Sequence, residues 1–111
     1  MSSHFIDQTL PAHNPNLPKP LGLLRVPPEV AEQVTSEEAR IAREHGFQLA
    51  PEARQRMLDD WTLNYYYDGA YIAYQHTPQG IEVLAVGLEE ARKYMKDHPA
   101  ETRKDVVIGV V

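Results

Sequence analysis

Six of the chain's nine prolines fall between residues 8 and 28, and this clustering limits the fold more than any other feature. Each proline fixes φ, removes an amide donor and pushes its predecessor towards extended backbone. Neither a helix nor a central strand can run through such a stretch. Residues 1–28 therefore read as an extended arm with polyproline-like pieces. Leu21, Leu23, Leu24 and Val26 lie inside it, and a plain linker has no use for an apolar patch. Either the patch packs back onto its own domain, or the arm docks on a partner.

The remaining residues, 29–111, suffice for one domain. Pro28 or Glu29 opens a short helix to about residue 34, with proline favoured in the first turn. Thr35-Ser36-Glu37-Glu38 fits a capping box for a second helix over 36–45. Gly46 suits its left-handed stop, and Phe47 is placed to fold back on Ile41 or Ala42. Pro51 opens a further helix ending near Asn64. Its apolar stripe is Ala53, Met57, Leu58, Trp61 and Tyr65, with Asp59 and Asp60 off the stripe and Trp61 as a core anchor.

After the Asp68-Gly69 turn the hydrophobic period drops from 3.6 to 2. Ala70–Gln75 reads as a strand, with Ala70, Ile72 and Tyr74 on one face and Tyr71 and Ala73 on the other. Thr77-Pro78-Gln79-Gly80 is a turn, and Ile81–Val86 returns to complete a hairpin. A helix over 88–97 follows, with Glu89 set to pair with Lys93. Asp105–Val111 closes the chain as a strand apolar on both faces. The expected fold is α+β: an N-terminal arm, helices over 29–64, then a ββαβ unit over 65–111 with a small, mostly antiparallel sheet.

Charge and composition narrow the function. Eleven basic residues face sixteen acidic ones, for a net of −5. Only Arg92, Lys93 and Lys96 form a local basic cluster, which argues against nucleic acid as a partner. Cysteine is absent, which removes disulfides, thiolate metal sites and a cysteine nucleophile. No apolar run is long enough to span a bilayer, and the N-terminal residues lack the pattern of a secretory signal. A cytoplasmic protein is expected. His4, His13, His45, His76 and His98 show no helical zinc spacing, the serines sit in the terminus or a capping turn, and no glycine-rich phosphate loop occurs. No catalytic residue, cofactor or metal is assigned, and the balance leans away from an enzyme.

Two features point to contact chemistry. Five tyrosines lie between residues 65 and 74, and phenols favour half-wet surfaces such as interfaces. The valine-rich final strand recruits another strand wherever its edge is left unpaired. Leu21, Leu23, Leu24, Tyr65, Tyr67, Tyr71, Val106, Ile108 and Val110 are the interface candidates, and a homodimer or higher oligomer is expected.

The run from Tyr67 through Tyr74, then Val83-Leu84-Ala85-Val86-Gly87 and Leu88-Glu89-Glu90-Ala91, resembles small bacterial ββαβ domains of unknown function. They share a Tyr-x-Gly-x-aromatic strand and a Glu-Ala helix start. The same run is similar to the ββα part of HicB-type antitoxins, where Gly87 and Glu90-Ala91 match. Leu88 stands in place of that family's threonine step, and its Pro-Asp-x-Pro-Gly turn is missing. The resemblance implies a non-catalytic protein that acts by binding another protein, and it transfers no active site. Three functions follow as expectations: a self-associating interaction module whose arm contacts a partner, an antitoxin-like neutraliser of a small basic toxin, or a small enzyme with a dimer-seam site near Tyr71, Tyr74 and His76.

Overall fold

The computed structural model describes residues 21–99 and 106–111. His4, His13, the first four prolines of the arm and the Lys104-Asp105 step lie outside the described residues. The elements are β1 (Gly22–Leu23), α1 (Pro28–His45), α2 (Pro51–Tyr67), β2 (Tyr71–Thr77), β3 (Gly80–Val86), α3 (Leu88–Asp97) and β4 (Val106–Val110). Three helices and a four-stranded antiparallel sheet make an α+β fold, with strand order β1-β3-β2-β4.

Residues 28–45 form one helix rather than two. Thr35 sits in mid-helix and donates its hydroxyl to the Ala31 carbonyl at 3.0 Å, so the capping box does not form. Val30 and Val34 explain the continuity. They are spaced four apart and pack with Leu58 and Trp61 of α2, so a break at Thr35 would split this contact. Proline occupies the first turn of both α1 and α2, where its missing donor costs nothing. Gly46 closes α1 at φ 77°, and its amide donates to the Ala42 carbonyl at 3.0 Å. Phe47 does not fold back. It is exposed, with its ring near His45.

The second helix runs three residues beyond Asn64, so Tyr65, Tyr66 and Tyr67 belong to α2 rather than to the sheet unit. It ends at a type II turn. Asp68 at φ −49°, ψ 122° is followed by Gly69 at φ 81°, and the Ala70 amide donates to the Tyr67 carbonyl at 2.7 Å. Only glycine enters that third position freely. Lys93 pairs with Asp97 at 2.7 Å rather than with Glu89.

The hairpin carries a bulge. Ala73 pairs with Ala85 and Tyr74 with Val83, leaving Leu84 extra on β3. The alternation on β3 therefore shifts by one. Ile81, Val83 and Val86 pack on the α2 side with Leu63, Tyr67 and Ile72. Leu84 and Ala85 pack on the α3 side with Ala73 and Ala91. The sheet thus has α2 on one face and α3 on the other, and α1 covers the outer side of α2. Gly87 sits between β3 and α3 at φ 106°, where a Cβ would collide with the Glu90 carboxylate.

The arm packs back in part. Its residues 22–23 pair with β3, the Leu24 amide donates to the Ile81 carbonyl at 3.0 Å, and the Leu24 side chain enters the core. Leu21 and Leu23 stay exposed. Leu24 is therefore part of this chain's own core. Tyr67 is buried there too, at 0% exposed, because one further turn of α2 drives it into the sheet. Burial pushes its phenol pKa up to about 12.

Candidate functional site

Two regions of the surface carry unspent chemistry. The first is a polar corner where α2 crosses β2. Strand alternation puts Ile72, Tyr74 and His76 on the α2 face of β2, with His76 against Asp59 and Tyr74 near Asp60 of α2. Asp59 is 2% exposed, although it lies off the apolar stripe. It is held by two donors: Gln55 Nε2 at 2.8 Å and the His76 ring at Nδ1, 3.0 Å. A buried carboxylate needs such partners. Because the carboxylate oxygen accepts, Nδ1–H donates, and the imidazole is fixed with Nε2 directed away from Asp59. His76 is half-buried rather than exposed, and the Tyr74 ring meets it edge-on at 5.8 Å.

Asp60 differs from its neighbour. No described side chain closes an ion pair on it within 4 Å. Crowding by surrounding protein raises its pKa, while His76 and Arg56 act in the opposite sense from further away. Burial, with the Asp60 charge added, also raises the Tyr74 phenol, so that group stays protonated and able to donate. Asp60 and Tyr74 line a cleft of about 340 Å³ together with Trp61, Leu63, Asn64, Val110 and Val111.

Of the residues expected near a dimer-seam site, Tyr74 and His76 lie side by side with Asp59 at the imidazole, and Tyr71 does not join them. Tyr71 lies on the opposite face of the sheet, against α3. His76 stands beside the cleft and not in its lining. Among the described hydroxyls, Thr77 Oγ1 already donates to the Gly80 carbonyl at 2.8 Å. The corner holds an oriented imidazole and a separate carboxylate, a pairing suited to binding and proton exchange. Asp59 was missed by sequence reasoning. Its one usable signal was the break in the polar pattern, an acid directly beside Leu58 and Trp61.

The second region is the outer edge of β4. Among the described residues this strand pairs with β2 on one side only, as the last strand of the sheet. The Val111 amide donates to the Ala70 carbonyl at 3.0 Å. Antiparallel alternation then turns the amides of Val107 and Gly109 towards β2, and those of Val106, Ile108 and Val110 outwards. Val106 and Ile108 are half-buried under α3, whereas Val110 is 66% exposed. Tyr65 is half-buried against the α1–α2 core. Of the interface candidates, Val106, Ile108 and Val110 share this edge. Leu21 and Leu23 lie at the far edge beyond β3, and Tyr65 and Tyr71 lie elsewhere.

Among the described residues, no cluster of three metal-ligating side chains occurs, and no helix is long and apolar enough to cross a membrane. No family model, no curated protein and no solved structure matches the chain.

Proposed function

We propose that the chain is a self-associating interaction module in which β4 pairs antiparallel with β4 of a second copy. One observation carries the reading: β4 is an edge strand among the described residues, without proline or charge over residues 106–110 and with the alternate amides of Val106, Ile108 and Val110 outward. Pairing about a two-fold axis at Ile108 sets Val106 opposite Val110 and Ile108 opposite itself. Such an arrangement is isologous and closes at two copies. It would join two four-stranded sheets into one continuous sheet and bring the Val106, Ile108 and Val110 side chains of both copies together on the α3 side. An unprotected apolar edge gains ladder hydrogen bonds and buried area by this route. The exposed Leu21 and Leu23 at the opposite edge leave room for a further protein partner.

Light scattering on the full chain tests the reading. A mass of twice 12.6 kDa is expected, falling to 12.6 kDa in Val110→Lys and in Val110→Pro. Lysine blocks edge pairing by its charge, and proline removes an outward amide without touching the β2 ladder. A wild-type mass of 12.6 kDa at millimolar concentration would rule the pairing out.

A further inference from the structure

The cleft between α2 and the β2–β4 pair has the chemistry of a cation site. Asp60 supplies a carboxylate with no ion pair among the described residues. Asn64, one turn further along the same helix, supplies an amide oxygen. Tyr74 faces them from β2 with its ring and phenol. The C-terminal end of α2 adds to the same sign. Helix ends of this kind carry about half a negative charge, and the last turn of α2 contains no basic residue to neutralise it. Leu63 and Val111 make the remaining wall apolar. The volume of about 340 Å³ suits a small molecule at the lower end of the usual range of about 300–1,000 Å³.

We propose that this cleft binds a primary alkylammonium group. The Asp60 carboxylate and the Asn64 carbonyl oxygen accept N–H donors, the Tyr74 ring lies against the cation, and a short apolar tail rests on Leu63 and Val111. Arg56 is the competing charge. It is exposed and near enough to be felt by Asp60, yet it forms no ion pair with it. The ammonium could belong to a free amine or to a lysine side chain, and the chemistry recognised is the same.

Chemical-shift titration of the full chain tests the assignment, with n-butylammonium, the neutral n-butanol and Nα-acetyl-lysine amide as probes. Butylammonium is expected to shift the Asp60, Asn64, Tyr74 and Val111 resonances and to bind roughly tenfold more tightly than butanol, the difference expected of one charge-assisted hydrogen bond. Asp60→Asn should remove that difference with the dispersed spectrum kept, and Asp60→Glu should retain part of it. Tighter binding of the lysine derivative than of butylammonium assigns the ammonium to a polypeptide side chain, and weaker binding assigns it to a free amine. Equal affinity for the amine and the alcohol, shifts confined to other residues, or no binding at millimolar probe would overturn the proposal. None of these readouts depends on the oligomeric state, so they separate this site from the β4 pairing.

Discussion

At the scale of single residues, the two adjacent aspartates have opposite circumstances. Asp59 is buried and satisfied by Gln55 and His76. Removing the imidazole in His76→Ala leaves one buried carboxylate oxygen without its donor. That omission should cost about 1–3 kcal/mol, read as a lower urea midpoint, and His76→Gln should recover part of it. Asp60 holds its proton more tightly in the folded state than in the unfolded chain. The folded state is therefore weakened as pH rises from the unfolded-state value through the raised native one. Asp60→Asn should abolish this decline and melt at a higher temperature than wild type at neutral pH, with little difference in strong acid. Glu37 has the reverse sign. Its hydrogen bond to Arg40 lowers its pKa, so its contribution is present above the unfolded value and lost as pH falls through the native one. Comparing wild type with the single variant isolates the Asp60 part.

At the scale of elements, α1 shows how packing overrides a local signal. Thr35-Ser36-Glu37-Glu38 matches a helix start, and a chain reading only its own neighbourhood would cap there. Val30 and Val34 lie on the turn before it and are fully buried against Leu58 and Trp61. Burying two valines contributes about 1.5–3 kcal/mol each, whereas a cap contributes about 1 kcal/mol, so the continuous helix wins. The consequence is measurable. Thr35→Ala should be neutral or stabilising by a few tenths of a kcal/mol, since alanine is the better helix former, whereas loss of a true cap would cost about 1 kcal/mol. Thermal denaturation of the variant distinguishes the two. Tyr65–Tyr67 follow the same logic. The Asp68-Gly69 turn sets an expected helix end near Asn64, but the Tyr67 side chain completes the α2–sheet core and the helix extends to place it.

At the scale of the molecule, the order β1-β3-β2-β4 leaves the valine strand on the outside. Its outer edge is unpaired among the described residues. Hydrogen exchange offers a reading at single amides. Val107 and Gly109, turned towards β2, should be protected at all concentrations. Val106, Ile108 and Val110 should exchange quickly when dilute and slowly when concentrated, if copies pair as proposed. Fast exchange of these three amides at every concentration would speak against the pairing. Both sheet faces are covered by this chain's own helices, so the tyrosine cluster is divided among separate packing environments. The proposed association accordingly uses the edge rather than a tyrosine face.

Much of the architecture was legible because it depends on interactions within a few residues. Proline fixes its own φ, glycine alone tolerates the positive φ at positions 46, 69 and 87, and the period of the apolar pattern separates the helix ending at Tyr67 from the hairpin after it. Those terms determined the helix starts, both turns, the hairpin and the faces of Ile72, Tyr74 and Tyr71. What lay beyond the sequence concerns residues brought together across the chain. Asp59 meets His76 over 17 positions, the bulge at Leu84 resets which side chains face α2, and Leu24 is buried by a strand far along the sequence. Such contacts form only when two layers close on each other, and burial then sets the cost of every polar group trapped between them.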